Sequence, residues 1–171
     1  MNIQPQKQPD LAHVAELIKD IPIAMMSTRE SDASLAARPM AALEMDAEGV
    51  IAFFTSTASD KLEHLDAINL SFSDVDSSTF VSLSGRGEID TERSHIESLW
   101  TPMARPWFPN GPDSPNLVLL RFVPQTAHYW DGPNSRMVRA FNMAASVTAG
   151  RPIGMDDHGE HTGLSSEGGQ R

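Results

Sequence analysis

Seven short runs of the sequence have the composition of β-strands, and turn signals separate them with only a few helix-length segments between. The runs cover residues 23–28, 34–44, 50–55, 70–73, 79–90, 116–123 and 127–130. Parallel strands need long crossover connections, whereas antiparallel strands can be joined by short turns. The order of the runs therefore predicts an antiparallel barrel with small helical inserts, and 171 residues suffice for one such domain.

Helix and glycine signals lie between and within these runs. A first helix is predicted to begin at Asp10, which can cap it, and to end before Pro22, because apolar residues recur there at helical spacing. Further helices are predicted over residues 59–68, 91–100 and 134–148. Gly85 and Gly87 interrupt a strand pattern, which predicts a bulge or the close approach of another backbone.

The composition changes near both ends of the sequence. Residues 1–9 are polar and include two prolines, which predicts a flexible N-terminus. Residues 150–171 consist mainly of Gly, Ser, Asp, Glu and His with almost no large apolar side chains, which predicts a disordered tail. The intervening residues 10–149 are expected to form the folded domain.

Charge and composition exclude several classes of function. The net charge of −10 disfavours binding to nucleic acids and to anionic membranes. With no cysteine, disulfides and thiolate sites are excluded. The sequence contains no run of eighteen apolar residues, so no membrane span is predicted, and its first residues do not resemble a secretory signal. A cytoplasmic protein is therefore expected.

Motifs for the common nucleotide and metal sites are missing as well. The sequence has neither G-x-G-x-x-G after a strand nor a P-loop, so it predicts no Rossmann or P-loop site. His158 and His161 form an H-x-x-H pair, but they lie in the predicted tail. A metal site needs more ligands in a fixed geometry, so no metal is predicted there.

Three short segments carry the residue types that matter most for function. Residues 37–40, Ala-Arg-Pro-Met, place an arginine and a proline in mid-strand, where packing alone favours neither. Residues 53–56 end an apolar strand, and residues 59–61 stand at a predicted helix start. Taken singly, each segment has an ordinary structural explanation. The first fits an edge strand with a surface arginine, the second fits a core strand that enters a turn, and the third fits a helix N-cap followed by a solvated lysine.

Together the three segments have the chemistry that flavin mononucleotide (FMN) requires. Arg38 and Lys61 can supply charge for a phosphate, with arginine in a bidentate arrangement. Ser59 and the free amides of a helix start can add neutral donors. The backbone groups that can meet the edge of a flavin ring are those of Met40, Phe54 and Thr55. A proline lacks a ladder donor, which suits a strand that neighbours a ligand.

The chain resembles the flavin-binding split barrels related to pyridoxamine 5′-phosphate oxidase, and within them the general stress protein 26 group. The resemblance covers roughly residues 10–133 and is carried by residues 37–40 (ARPM), 53–61 (FFTSTASDK), 81–89 (VSLSGRGEI), 99–122 (LWTPMARPWFPNGPDSPNLVLLRF) and 127–133 (AHYWDGP). It implies a mainly β, six-stranded antiparallel split barrel with small flanking helices. It also implies a homodimer that binds FMN, or FAD as a variant, at its interface.

The same resemblance implies which residues contact the cofactor. Transferred by motif, they are Arg38, Pro39, Met40, Phe54, Thr55, Ser56, Ser59 and Lys61. Trp107 and Phe108 either reach the flavin rings of the partner subunit or plug their own barrel. Trp100 and Trp130 are expected in the core or the dimer interface. No catalytic residue is predicted.

Three functions remain open from the sequence. The first is a general stress flavoprotein that acts as an oxidoreductase or carries flavin. The second is an oxidase or reductase that uses FMN on a small substrate. Residues 41–43, Ala-Ala-Leu, replace a further basic residue of the true pyridoxamine phosphate oxidases, which argues against synthesis of pyridoxal phosphate. The third is a split barrel that binds no flavin and serves in protein interaction.

Overall fold

The computed structural model describes residues 1–59, 62, 64–132, 157–162 and 164. Within them the strands are β1 (Asn2–Ile3), β2 (Ile23–Arg29), β3 (Leu35–Ala41), β4 (Glu44–Met45), β5 (Ile51–Ser56), β6 (Ile68–Asp74), β7 (Thr79–Asp90), β8 (Leu117–Asp131) and β9 (Asp157–Thr162). The α-helices are α1 (Pro9–Ile18) and α2 (Arg93–Leu99), and short 3₁₀ turns cover Pro102–Ala104 and Gly111–Asp113. No described helix has the length and apolar character needed to cross a membrane.

One sheet contains all of these strands, in the order β1-β4-β5-β8-β7-β6-β2-β3, with β9 paired to β8. The pairs are antiparallel except β1 with β4. After β3, the amide of Ala42 donates to Pro22 O and that of Leu43 donates to Ala52 O. This short segment therefore joins the two ends of the sheet and closes the barrel there.

The predicted fold class is confirmed. The strands β2, β3, β5, β6, β7 and β8 form the split barrel, and β1, β4 and β9 are additional short pieces. Its interior is lined by alternate apolar residues of each strand, such as Met26, Phe53, Phe72 and Phe122, all fully buried. Helix α1 packs against this core with the apolar face predicted from its spacing: Leu11, Val14, Ala15 and Ile18 are buried.

The glycine signal in β7 marks a bulge, as predicted. The register with β8 shifts between Ser84 and Gly85. A Cβ on Gly85 would lie 2.1 Å from Val123 O, so the backbone of β8 approaches too closely for any side chain. The two runs predicted as separate strands after residue 115 form the single long strand β8, which passes this bulge without a break.

The predicted helix over residues 59–68 is wrong in its second half. Leu62 lies in a helical turn, but residues 64–67 are not helical and β6 already begins at Ile68. Gly87 N donates a 2.6 Å hydrogen bond to Leu65 O. Backbone pairing with β7 therefore replaces the helical hydrogen bond that Leu65 would otherwise accept. The helix predicted over residues 134–148 lies outside the described residues.

Both predicted flexible ends include ordered pieces among the described residues. Strand β1 pairs with β4, although residues 1–9 were expected to be loose. Strand β9 pairs with residues 126–131 of β8, and Leu164 is 2% exposed in the main core. On this edge of β8, strand β5 pairs only with residues 117–122. Strand β9 therefore forms hydrogen bonds with backbone groups farther along β8 that β5 does not reach. Backbone pairing of this kind does not depend on apolar composition.

Leu164→Ala is expected to lower the free energy of unfolding by about 2–3 kcal/mol, because a buried leucine loses both its burial and its packing contacts. Urea denaturation measures this difference. The matched control is Leu35→Ala on β3, where the leucine is 80% exposed and the expected change is within about 0.5 kcal/mol. Equal effects of the two substitutions would show that the tail does not pack on the barrel.

Candidate functional site

The barrel has a seam between β3 and β5. Strand β3 pairs with β2 along its whole length and has no second strand neighbour among the described residues. Strand β5 pairs with β4 only at Ile51 and Ala52, so residues 53–56 keep one edge free of the ladder. The free edges of β3 and β5 diverge from residues 42–43, where the barrel is closed by hydrogen bonds to Pro22 and Ala52. The seam is thus bordered by the first and second segments that the sequence analysis singled out.

Hydrogen-bond alternation shows which backbone groups of β3 face this seam. Glu30 N donates to Ser34 O, and Ala42 N donates to Pro22 O. In an antiparallel pair such bonded positions recur every second residue, so residues 36, 38 and 40 are bonded to β2. The backbone groups of Ala37, Pro39 and Ala41 therefore point away from β2. Pro39 occupies an edge position where its missing N–H costs no ladder hydrogen bond.

The same alternation applies to β5. Thr57 N donates to Asn116 O, just beyond the end of β5. Counting back every second residue, the backbone groups of Thr55, Phe53 and Ile51 are bonded to β8. The amide and carbonyl of Phe54 therefore point toward the seam. A backbone donor and acceptor on one residue can form paired hydrogen bonds with the edge of a planar heterocycle. For Met40 the alternation directs the backbone to β2, so only its half-buried side chain faces inward.

The side chain of Thr55 provides the clearest polar feature of the barrel interior near the seam. It is 3% exposed, and its Oγ1 has no hydrogen-bond partner among the described residues. The hydroxyl of Thr28 on β2 is buried and without a described partner in the same way. Leaving a buried hydroxyl unpaired costs about 1–3 kcal/mol, so such groups normally bind a ligand or a water molecule. Thr55 thus fits the role of a ligand contact.

Arg38 is held in place by a residue that the sequence analysis missed. Its side chain is 28% exposed, and its Nη2 donates a 2.7 Å hydrogen bond to Glu30 Oε1. Glu30 follows β2 directly, eight residues before Arg38, within the turn that joins β2 to β3. Glu30 lies opposite Ser34 in this hairpin, four residues from Arg38, so the strand register does not place the two side chains opposite each other. The sequence carries no local signal for this contact.

Ser59, the first residue of the third segment, lies in a turn close to the same hairpin. Ser59 N donates to Ser56 O, and Leu62 N donates to Ser59 O. Ser31 Oγ lies 3.3 Å from His64 Nε2, which joins this part of the chain to the β2–β3 hairpin. Ser59 therefore lies in a turn on the hairpin side of the seam. Lys61, predicted to share the phosphate with Arg38, lies outside the described residues.

Ser56, also predicted to contact the cofactor, is engaged within the protein. Its Oγ accepts hydrogen bonds from Ala58 N at 3.2 Å and from Asn116 Nδ2 at 3.0 Å. These bonds tie the end of β5 to the start of β8. The hydroxyl thereby shapes the turn that carries Ser59, and only its own hydrogen remains to donate to a ligand.

The aromatic residues divide between a second core and the surface. Phe54 packs against Trp100 and Phe108, with ring centroids 5.6 and 6.4 Å apart. Phe108 is 7% exposed and belongs to this second cluster, not to the main core inside the barrel. Trp107 is 74% exposed, in the loop that also exposes Met103. Phe108 therefore packs within its own chain, whereas the predicted contact of Trp107 with a flavin stays a prediction.

An acidic cluster around His95 anchors α2 behind this second core. His95 Nδ1 donates a 2.6 Å hydrogen bond to Asp90 Oδ2, and its Nε2 lies 3.8 Å from Glu44 Oε2. Partial burial raises the pKa of Asp90, but the Glu92 backbone amide and His95 outweigh it, so the pKa lies below its usual value. No group of three potential metal ligands is present in the part of the chain that the structure describes.

Asp90→Asn is expected to destabilise the protein by about 1 kcal/mol at neutral pH, since it weakens a charged hydrogen bond. Because the folded-state pKa of Asp90 is lowered, its contribution exists above the unfolded pKa near 4 and disappears as the pH falls through the folded value. Urea denaturation at pH 7 and pH 3 should therefore show a smaller difference between variant and wild type at pH 3. A difference that grows at low pH would contradict this.

Comparisons with known proteins agree with this architecture. The sequence matches the family described as pyridoxamine 5′-phosphate oxidase like over residues 9–153. The general stress FMN/FAD binding protein of Xanthomonas citri is 30% identical, with 72% of this chain and 87% of that chain covered and a TM-score of 0.60. A protein related to general stress protein 26, from Clostridium acetobutylicum, is 27% identical, covers 71% of this chain and 87% of its own, and has a TM-score of 0.62.

A curated relative extends the comparison to a fungus. Protein bli-3 of Neurospora crassa is 29% identical over an alignment of 142 positions, and the alignment covers 75% of this chain and 68% of that protein. Each of these alignments covers more than two thirds of both chains. The similarity therefore concerns the barrel as a whole and not an isolated motif.

Proposed function

Because the chain belongs to the pyridoxamine 5′-phosphate oxidase-like family, we propose that it binds a flavin in the seam between β3 and β5. FMN is the first candidate and FAD the variant, since the similar Xanthomonas citri protein is described as FMN/FAD binding. The observation that carries the proposal is the buried hydroxyl of Thr55, which has no hydrogen-bond partner in the described part of the chain. It lies beside two strand edges that pair with no other described strand. A seam with free donors, an apolar wall and a nearby guanidinium suits a phosphorylated heterocycle.

Each seam residue has a defined part in this proposal. The backbone of Phe54 and the hydroxyl of Thr55 hold the polar edge of the ring, and Met40 supplies an apolar contact. Arg38 binds the phosphate, with Ser59 and Lys61 as the partners predicted from the sequence. A bound flavin supplies hydride and single-electron transfer, whereas the protein supplies binding, orientation and control of solvent access.

The proposed assembly is a homodimer with the flavins at its interface. The outer face of β2, β3, β6 and β7 supports it, because two rows of cross-strand neighbours there carry no charge. The rows are Pro39, Met25, Ser71 and Ser82, and Ala37, Ser27, Asn69 and Ser84. Asn69 Nδ2 donates to both Ser82 Oγ and Ser84 Oγ, so the polar side chains of this face are hydrogen-bonded to one another. Ile23 and Met25 add exposed apolar surface.

Two activities follow from flavin binding, namely electron transfer to a substrate and the carriage of flavin between other proteins. The seam residues described above bind and orient, and they offer no dedicated proton donor for a particular substrate. We therefore place the protein with the general stress flavoproteins, as an oxidoreductase or a flavin carrier. An oxidase or reductase of the pyridoxamine phosphate oxidase type is the alternative.

The test is the visible absorption spectrum of the purified protein after addition of FMN and removal of the excess, combined with light scattering. The expected result is a retained yellow spectrum in a dimer, and reduction by NAD(P)H then distinguishes a redox enzyme from a carrier. A folded but colourless dimer would reject flavin binding and leave a protein-interaction module as the function. A yellow monomer would reject the interface site.

A further inference from the structure

Glu30 contacts Arg38, the residue that is proposed to bind the phosphate. Its carboxylate accepts a hydrogen bond from Arg38 Nη2, and both side chains are little more than a quarter exposed. A guanidinium has five donors, so this contact leaves the others for a ligand. Among the described residues, Glu30 is the only acid that contacts Arg38. A ligand phosphate and Glu30 would therefore share one guanidinium.

The backbone of Glu30 is fixed by the hairpin. Its N–H donates to Ser34 O at 2.8 Å, and its carbonyl accepts from Ala33 N at 2.9 Å. Ala33 adopts a positive φ of 67°, and Asp32 Oδ1 accepts from Ser34 N, so the turn is closed on itself. The backbone that carries Glu30 is consequently held in one place, and its carboxylate is within hydrogen-bond distance of Arg38.

We propose that Glu30 is a positioning and affinity-setting residue that weakens phosphate binding at Arg38 and keeps the flavin exchangeable. The inference rests on the proposed flavin site. The terminal phosphate of FMN carries between one and two negative charges at neutral pH, and a fixed carboxylate on the same guanidinium repels it. The repulsion acts in a partly exposed site, where screening reduces it but does not remove it. A weaker, exchangeable flavin suits a carrier better than a permanent prosthetic group.

The experiment compares Glu30→Gln with wild type in titrations of FMN and of riboflavin, which lacks the phosphate. The amide oxygen of glutamine can still accept from Arg38 Nη2, so the variant removes the charge and keeps the hydrogen bond. We expect FMN to bind about five- to tenfold more tightly and riboflavin to bind equally well. The gain should shrink as salt is added. Glu16→Gln is the matched control, because it removes the same charge from an exposed pair with Lys19 on α1.

Each outcome decides a different point. FMN binding that is unchanged or weaker in Glu30→Gln would overturn the inference and leave the flavin site intact. Equal affinity of the Glu30→Gln variant for FMN and riboflavin would show that Arg38 binds no phosphate, which overturns the inference while flavin binding survives. A wild-type protein that binds neither flavin would reject the proposed function, and the inference with it. Thermal unfolding of each variant verifies that all are folded.

Discussion

Replacing Arg38 and Lys61 together by alanine is expected to weaken FMN binding at least a hundredfold. Each charged hydrogen bond to a phosphate is worth about 1.5–3 kcal/mol, and the two together therefore about 3–6 kcal/mol. The loss of Arg38 also leaves the carboxylate of Glu30 without its partner next to the phosphate. Fluorescence quenching of FMN on titration with protein measures the change directly.

The matched control is the double variant Arg86→Ala with Lys19→Ala. It removes the same two charges from surface pairs with Glu88 and Glu16, and its FMN affinity should remain within about twofold of wild type. Riboflavin separates the two parts of the ligand, because it should bind the Arg38 and Lys61 variant nearly as well as wild type. Unchanged FMN affinity in the folded double variant would remove the phosphate clamp from the proposal.

Gly85→Ala is expected to lower the free energy of unfolding by about 3 kcal/mol or more. A Cβ at this bulge would stand 2.1 Å from Val123 O and 3.0 Å from its carbonyl carbon. Both are backbone atoms of β8, which is paired to β7 along its length, so the strands must separate locally to admit a methyl group. Urea denaturation should show the loss, and low expression of folded protein agrees with it.

Gly87→Ala provides the contrast on the same strand. Its Cβ would meet the ends of the Ile68, Leu120 and Leu65 side chains at 2.9–3.0 Å, and such ends can rotate away. We expect about 1–2 kcal/mol, clearly less than at Gly85. If the two glycines were equally sensitive, the close approach of Val123 would not be the reason for the bulge glycine.

Local patterns in the sequence were sufficient for most of the barrel. The run at residues 79–90 corresponds to β7 without any change, and the glycines within it do mark a bulge. Helix α1 buries the apolar face that its spacing predicts. These features depend on alternation and helical periodicity, which a single sequence displays directly. The family resemblance added the closure of the strands into a split barrel.

The errors arose where backbone hydrogen bonding between distant segments outweighs composition. Leu65 belongs to a segment that reads as helix, but its carbonyl binds the amide of Gly87. Residues 157–162 read as disordered, yet they pair with an edge of β8 that β5 leaves open. Any residue except proline can pair through its backbone, so a polar sequence does not reveal such strands.

For the candidate site, the sequence by itself determined which residue types are available, and it predicts Arg38, Thr55 and the backbone of Phe54 as ligand contacts. Only the tertiary structure decided which of their groups face the seam, because the register of β3 on β2 and of β5 on β8 sets the direction of every amide. It also decided that Glu30 contacts the guanidinium of Arg38. A contact between two side chains depends on the geometry of the hairpin, and no local pattern in a sequence encodes it.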